Sequence, residues 1–343
     1  MKKHLNTLYI TSEDAYLRKD HETFVVEIEG KKAFQAPVRS IGSIVCFGFK
    51  PITPALMAFC TERDVSISFL STTGTFLARV AGNTHGNVLL RMAHYAIAND
   101  EQRSLAVARP IVAAKIANYR SMLLRHLRNH PDAATEQLLR PITETFAHRI
   151  RMLERVGSLE QLRGYEGECA QLYFSVAAHL FTAQQEDFAF TQRSRRPPRD
   201  RANALLSFLY ALITNDICSA LESVGLDPYV GFFHRVRPGR PSLALDILEE
   251  FRAYLGDRMM FSLVNLRQVT AEDFELRPSG EVRMSDAARK RVIVAYQQRK
   301  QEEITHPFLQ EKMTVGLIPF VQAQLLARYI RGDIHQYPPF VVK

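Results

Sequence analysis

The sequence predicts an α+β protein with a β-rich N-terminal half and an all-helical C-terminal half. Two observations indicate this fold class. Apolar residues recur with a period of two over roughly the first 85 residues, and with the period of an α-helix beyond that point. The 343 residues are enough for about two domains. We therefore predict domains at residues 1–86 and 87–343, divided at the turn-rich sequence GNTHGN, residues 82–87.

The β-rich half contains several short strand-like segments and one helix. In residues 23–30, Phe24, Val26 and Ile28 alternate with the side chains of the opposite face, as in a half-buried strand. Thr53 can cap a helix that has Pro54 at its first position, and this helix interrupts the strands. The other strands are predicted at residues 33–38, 41–47, 65–70 and 76–80, with turns at residues 30–32 and 72–75.

The C-terminal half is predicted as a set of packed helices. Residues 110–130 have an apolar stripe, and the basic residues beside it predict a positively charged outer side. Residues 202–224 predict a central helix, whose charge-free run of 14 residues is too short to span a membrane. Residues 319–331 predict the last helix, which ends before Gly332. The basic residues of the first of these helices are Lys115, Arg120, Arg125 and Arg128.

Composition narrows the class of protein. A hydrophobic fraction of 46% and a charged fraction of 23% exclude a disordered or fibrous chain. The net charge of +8 favours a polyanionic partner, although a basic surface that only confers solubility remains open. The four cysteines form no CxxC pair and the N-terminus has no apolar run, so we expect a cytoplasmic protein with free thiols. No P-loop, GxGxxG, HExxH or GxSxG motif is present in a suitable context.

The first candidate site residue is Glu166, in the helical sequence RGYEGECAQLYF. Glu166 shares a stripe with apolar residues such as Tyr173, whereas Glu168 points elsewhere and is expected to be solvated. Gly164 and Gly167 weaken a helix, which favours a close approach of another backbone or a ligand. The alternative is that Glu166 only complements the helix dipole.

The second candidate group lies in GFFHRVRPGRPSLALDILEEFR. His234 falls in an arginine-rich loop, and Asp246 and Glu249 are three residues apart on one face of a helix that Ser242 can cap. An imidazole and two carboxylates can bind a hard divalent cation, and arginines can hold phosphate oxygens. A structural histidine and a solvated acidic face remain the alternatives. The arginines of this loop are Arg235, Arg237 and Arg240.

The third candidate group is a basic loop, FTQRSRRPPRDRAN. Two adjacent prolines disfavour a helix there. A basic loop before a buried helix suits contact with a nucleic-acid backbone, although a purely solvated loop explains the composition equally well. Its arginines are Arg193, Arg195, Arg196, Arg199 and Arg201.

Taken in order, these segments resemble the family of CRISPR-associated adaptation endonucleases and integrases, the universal Cas protein numbered one, in a type I system. The resemblance extends to the YPPF sequence near the C-terminus and so covers nearly the whole chain. It implies a β-sandwich-like N-terminal domain that forms a homodimer, and an all-α catalytic domain. It also implies two partners, double-stranded DNA (spacer precursor and CRISPR array) and a small ferredoxin-like CRISPR-associated adaptation subunit, and no membrane association.

The resemblance further implies a catalytic group of Glu166, His234, Asp246 and Glu249. Of these, Glu166, His234 and Glu249 would bind Mg²⁺ or Mn²⁺, with Asp246 as an adjacent acid. The implied reaction inserts spacer DNA by attack of a 3′-hydroxyl on a phosphodiester at the leader–repeat boundary. His234 as a general acid, a Zn²⁺ hydrolase with the same ligands, and a non-catalytic DNA-binding scaffold remain alternatives.

Overall fold

The computed structural model describes residues 6–72, 74–82 and 88–342. Its N-terminal half consists of two sheets and one helix around a shared apolar core, to which both sheets contribute. The strands are β1 Thr7–Ile10, β2 Ala15–Asp20, β3 Thr23–Ile28, β4 Lys31–Pro37, β5 Ser43–Phe47, β6 Ser66–Leu70 and β7 Phe76–Val80, and the helix is α1 Pro54–Thr61.

The two sheets differ in topology. Strands β2, β3 and β4 form an antiparallel sheet, whereas the other sheet is mixed and has the order β1-β5-β6-β7. Strand β5 runs parallel to both β1 and β6, so the chain needs a crossover between β5 and β6, and α1 supplies it. This helix begins as predicted, because the Thr53 hydroxyl accepts a hydrogen bond from the backbone N–H of Leu56 at 3.3 Å and Pro54 follows it.

The C-terminal half is a helical assembly with two short β-ladders. A π-helical turn, Arg252–Asp257, joins two of its helices. The helices are α2 Val88–Ala98, α3 Glu101–Asn129, α4 Ala133–Met152, α5 Leu159–Val176, α6 Arg201–Ser223, α7 Ser242–Phe251, α8 Arg258–Asn265, α9 Asp286–Gln301 and α10 Ile318–Arg331. The ladders pair β8 Phe274–Leu276 with β9 Val282–Met284, and β10 Glu303–Thr305 with β11 Lys312–Thr314.

Helix α6 lies at the centre of the helical half. It is long and apolar enough to cross a membrane, but 83% of its most apolar window is buried by other parts of the protein, as in a core helix. Its Phe208 contacts Phe47 of β5, with ring centroids 5.9 Å apart. Arg79 of β7 forms an ion pair with Glu222 of α6 at 2.5 Å. These contacts join the β-rich half to the helical core.

The predicted α+β class is confirmed, and the central and last helices lie within one or two residues of their predicted bounds. The predicted start at Pro110 is wrong, because α3 begins at Glu101, is capped by Asp100 and contains Pro110. The two β-ladders were not predicted. Two predictions fall partly outside the described residues. Residue 73 of the predicted turn at residues 72–75 is not described, and neither are residues 83–87, which form most of the predicted boundary. The division at residues 86 and 87 therefore stays a prediction.

Candidate active site

Three helices and one loop bring the candidate residues together. Glu166 lies on α5 and Glu249 on α7, and α3 packs against both helices. The ammonium of Lys115, on α3, contacts the carboxylates of both glutamates, that of Glu249 at 2.6 Å. His234, in the loop before α7, has its Nε2 atom 3.6 Å from Oε1 of Glu249. Acidic groups from distant parts of the sequence thus meet around one buried amine.

Asp246 fixes the position of His234. Its carboxylate accepts the backbone N–H groups of Phe232, Phe233 and His234 at 2.7, 3.0 and 2.8 Å, and lies 2.7 Å from the ring Nδ1 of His234. A carboxylate that accepts three backbone N–H groups also accepts from the ring, so Nδ1 is the donor to Asp246 and Nε2 is the nitrogen that faces Glu249. Asp246 therefore positions the imidazole and leaves its second nitrogen available as a ligand.

The His234 loop is held from two sides. A Cβ atom on Gly231 would lie 2.8 Å from the backbone of Ser242 and 2.9 Å from the Asp246 carboxylate, so a glycine is needed for this close approach to α7. From α5, the guanidinium of Arg163 donates two hydrogen bonds to the carbonyl oxygen of Phe233, at 3.0 and 2.8 Å. The loop is therefore tied to both helices that carry the glutamates.

The charge of Glu249 is stabilised by its neighbours. Burial raises the pKa of this carboxyl, but the positive charges of Arg252 and Lys115, with His234, outweigh burial and hold the pKa well below its usual range. Arg252 donates from Nε to Oε2 of Glu249 at 2.8 Å. Glu249 is therefore ionised at neutral pH, as a carboxylate ligand must be.

Lys115 occupies the centre of this group. Its side chain is only 5% exposed. Burial lowers the pKa of the amine, but Glu249 and Glu166 outweigh burial and raise it above its usual value, so the amine is charged. Within residues 6–72, 74–82 and 88–342, no three His, Cys, Asp or Glu side chains are arranged to hold a metal ion directly. A protein cation, Lys115, lies between the two glutamates.

A buried layer of aromatic and charged side chains supports α7. The guanidinium of Arg252 lies 4.5 Å from the ring centroid of Tyr210, and the hydroxyl of Tyr210 donates to Asp257 in the π-helical turn. Burial raises the pKa of Asp257 to about 6, although Tyr210 and Arg252 act to lower it.

The C-terminal segment also packs on α7. The carboxylate of Glu250 accepts hydrogen bonds from the Tyr337 hydroxyl at 2.8 Å, the Phe340 backbone N–H at 2.7 Å and the Gln322 amide at 2.9 Å. Burial raises the pKa of Glu250 to about 7 against the effect of these donors. The amide of Asn118, on α3, bridges the carbonyl oxygens of Glu250 and Phe340. The YPPF sequence is therefore part of the support of the site.

Two arginine-rich loops form a basic surface beside the site. The loop before α6 and the His234 loop are close enough for their charges to interact. Partial burial lowers the pKa of Arg240, and repulsion from arginines of both loops lowers it further. These arginines are Arg195, Arg237 and Arg196. Five of the predicted DNA-binding arginines are exposed on these loops: Arg195, Arg196, Arg199, Arg235 and Arg237.

Arg193 does not belong to this exposed surface. Its guanidinium donates to Oδ1 of Asn203 at 2.6 Å and to the hydroxyl of Ser207 at 2.9 Å, and lies 5.5 Å from the Tyr210 ring centroid. Burial lowers the pKa of Arg193. Its donors attach the loop to α6, and the expectation that Arg193 contacts DNA stays a prediction.

Three further expectations need correction. Lys115 is buried rather than on a basic outer side, and Arg120 donates to the carbonyl oxygen of Thr143 at 3.0 Å. Ser242 is the first residue of α7 and not its cap, since its hydroxyl donates to the carbonyl oxygen of Arg235 at 3.1 Å. Another backbone does not approach Gly164 or Gly167, because a Cβ atom at either would have nothing within 4 Å outside its own helix among the described residues; the approach of a ligand stays a prediction.

Sequence reasoning missed three site residues, although two of them had a signal. Lys115 is three residues after Val112 and four before Tyr119, so it lies on the buried stripe of α3. Arg252 follows Glu249 by three residues, a spacing that brings opposite charges together on a helix. Arg163 had no such signal, because its partner is a backbone carbonyl in a distant loop. Glu168 behaves as predicted: it is exposed and pairs with Arg149 at 2.6 Å.

Comparison with known proteins identifies the family. A family model described as CRISPR associated protein Cas1 matches residues 8–298. The CRISPR-associated endonuclease Cas1 1 of Chlorobaculum tepidum is 50% identical over 341 residues, which cover 99% of each chain. The chain belongs to the Cas1 family. The resemblance to this family found in the sequence motifs is thereby confirmed, and the assignment to a type I system stays a prediction.

Solved structures agree with the Cas1 fold. A casposase bound to an integration product superimposes with a TM-score of 0.83 at 20% identity, covering 97% of this chain and 93% of that one. A chain of a Cas6-RT-Cas1–Cas2 complex superimposes with a TM-score of 0.82 at 22% identity, covering 100% of this chain and 36% of that one. At 20–22% sequence identity, these superpositions show similarity of fold alone.

The raised pKa of Asp257 predicts a pH dependence of stability. An unfolded Asp titrates near 3.8, so between about pH 4 and pH 6 the folded protein binds more protons than the unfolded chain. The free energy of unfolding should therefore fall as the pH rises through this window, by at most about 3 kcal/mol from this group. Asp257→Asn should remove this contribution to the pH dependence of the free energy of unfolding. Urea unfolding of the wild type and the variant at pH 4, 5 and 6 measures that dependence. An equal pH dependence in the two proteins would contradict a raised pKa at Asp257.

Proposed function

We propose that this chain is the metal-dependent DNA integrase of CRISPR adaptation, which inserts spacer DNA by attack of a 3′-hydroxyl on a phosphodiester at the leader–repeat boundary. Membership of the Cas1 family places the chain among DNA endonucleases and integrases, and it is an enzyme. The observation that carries the proposed site is the convergence of Glu166, Glu249 and His234 Nε2 beside exposed arginines.

The chemistry of the donor set, two carboxylates and an imidazole, suits a divalent cation, although Lys115 now lies between the carboxylates. Glu249 is ionised and has Oε1 directed toward His234, and the imidazole has a free Nε2 atom because Asp246 binds Nδ1. The carboxylate pair already holds one cation, the ammonium of Lys115. We propose Glu166, His234 and Glu249 as ligands of Mg²⁺ or Mn²⁺, hard ions that prefer oxygen with some imidazole. When bound, such an ion lowers the pKa of an attacking hydroxyl and neutralises charge on the attacked phosphate.

The protein's own residues bind and orient the DNA. The exposed arginines of the two loops can hold phosphates on either side of the reacting bond, since guanidinium groups bind phosphate oxygens in a bidentate way. Asp246 and Arg163 keep the His234 loop fixed against α5 and α7. His234 can also give a proton to the leaving oxygen when Nε2 is protonated, so its role as a general acid stays open.

Replacement of Glu166 tests the site. Glu166→Gln keeps the shape of the side chain and removes a charged ligand, so strand transfer should fall by about a hundredfold or more. DNA affinity should stay near that of the wild type, because phosphates bind the arginines. The measurement is integration of a labelled duplex with the partner subunit and Mn²⁺, beside a DNA titration.

Glu168→Gln is the matched control for this experiment. It lies two residues away on the same helix, is exposed and pairs with Arg149 instead of the site. We expect near wild-type integration from it. Wild-type activity of Glu166→Gln, or an inactive Glu168→Gln, would exclude Glu166 as a ligand.

The arginine loops should determine how DNA affinity depends on salt. For duplex DNA, the slope of log affinity against log salt decreases by about 0.9 for each phosphate that the protein no longer neutralises. Arg195→Ala with Arg196→Ala should therefore reduce the slope by about 1 to 2. Fluorescence anisotropy at several salt concentrations measures the slope. Arg63→Ala, in the β-rich half and paired with Glu22, should leave it unchanged; an equal reduction in both proteins would refute the assignment.

We further propose a homodimer formed through the β-rich half, a small ferredoxin-like CRISPR-associated subunit as partner, and a cytoplasmic location. Strand β7 is an edge of its sheet and exposes Phe76 and Leu77, by 45% and 39%. An apolar edge strand favours pairing with the same strand of a second copy. A protein of the same fold was solved in a complex of Cas6-RT-Cas1 with Cas2, which supports a second CRISPR-associated protein as partner. The four cysteines are free and buried, which suits a reducing compartment.

A charge on β7 tests the dimer. Leu77→Glu should convert a dimer into a monomer at micromolar concentration, because the two copies would bring like charges together at the strand edge. Analytical ultracentrifugation measures the mass of the full chain. Phe49→Ser removes another apolar residue of the same half, which is 84% exposed, and should leave the dimer intact. A dimeric Leu77→Glu protein would move the interface elsewhere.

A further inference from the structure

Lys115 and the proposed metal ion compete for the same two carboxylates. A Mg²⁺ ligand oxygen lies about 2.0–2.2 Å from the ion. The ammonium of Lys115 now contacts Oε1 of Glu166 and lies 2.6 Å from Oε2 of Glu249. An ion that bridged these two carboxylates would fall where the Nζ atom is. Oε2 of Glu249 also accepts a hydrogen bond from Nε of Arg252 at 2.8 Å, so this oxygen already contacts two protein cations.

Repulsion between like charges also argues against a site that holds both cations. Lys115 and Arg252 already place two positive charges against Glu249 in a buried position. A divalent ion beside them would be repelled by both, and such repulsion is strong in the protein interior, so it favours movement of the ammonium away from the ion.

We propose that Lys115 competes with the metal ion. In the protein without metal its ammonium bridges the carboxylates of Glu166 and Glu249, and a divalent cation binds there by displacing the ammonium. This inference rests on the metal site of the proposed function. Lys115 is then a positioning residue, which keeps the two glutamates close together until the ion arrives.

An aromatic ring and an unused hydroxyl oxygen lie close to the ammonium. The ring of Tyr119, one helical turn along α3, has its centroid 5.7 Å from Nζ. The Tyr119 hydroxyl is buried and has no hydrogen-bond partner among the described residues. A displaced lysine can therefore rest against an aromatic ring and an unused oxygen without leaving the core.

Metal affinity tests the displacement. Mn²⁺ is titrated calorimetrically into the metal-free full-length protein without DNA. Lys115→Met keeps the length of the side chain and removes its charge, so the dissociation constant for Mn²⁺ should fall about tenfold or more. Lys115→Arg keeps the charge in a form that binds carboxylates more firmly and should weaken Mn²⁺ binding. Unchanged or weaker binding by Lys115→Met would overturn the inference.

Lys300→Met is the matched control. Lys300 is equally buried and pairs with Asp216 at 2.7 Å, away from the site. Both methionine variants should unfold at a lower temperature without metal, because each leaves a buried carboxylate unpaired. Saturating Mn²⁺ should restore the melting temperature of Lys115→Met only. If Lys115→Met does not fold, the Mn²⁺ titration of Lys115→Arg still tests the inference.

Two outcomes separate this inference from the metal site itself. Wild-type affinity for Mn²⁺ in Glu166→Gln would remove the proposed site and the inference with it. Loss of Mn²⁺ binding in Glu166→Gln, with unchanged affinity in Lys115→Met, would overturn the displacement alone. Crystals with bound Mn²⁺ give the direct view: Nζ should lie beyond about 4 Å, the limit for an ion pair, from both carboxylates. An ammonium still bridging the glutamates beside Mn²⁺ would contradict it.

Discussion

The carboxylate of Asp246 is the group on which the geometry of the site depends. It is fully buried and satisfies three consecutive backbone N–H groups and one imidazole nitrogen. Loss of this acceptor would leave four buried donors without partners, each costing about 1–3 kcal/mol. The same contacts define which nitrogen of His234 is free. One side chain thus sets both the path of the loop and the chemistry of its histidine.

Next to Asp246, the protein buries ion pairs between acidic and basic side chains. Glu249 is ionised only because Arg252 and Lys115 lie against it, and Arg252 in turn rests on the ring of Tyr210. A buried ion pair contributes little net stability, since desolvation offsets the attraction. The buried ion pair of Glu249 is therefore better explained by a role in cation binding than by a contribution to stability. A carboxylate that remains charged in the core is ready for a cation.

Local rules predicted the parts of the fold that depend on neighbouring residues. Thr53 and Pro54 start α1, and Gly332, with φ of 85°, ends α10, because caps and left-handed turns depend on residue type. Pro110 misled the prediction because its helix continues through it, with the core packing of α3 outweighing the missing hydrogen bond. The candidate acids could be found from motifs. Arg163 and the role of Lys115 could not, since both depend on contacts between segments distant in sequence.

The binding of Glu250 by Tyr337 and Phe340 has a consequence for the order in which the site can form. Glu250 neighbours a candidate metal ligand, and two of its three donors lie 87 and 90 residues later in the chain. Until those residues dock, the carboxylate next to Glu249 lacks two of its three donors and α7 lacks part of its cover. The helix that carries Glu249 therefore reaches its final packing only after long-range contacts have formed, and not when the helix itself folds.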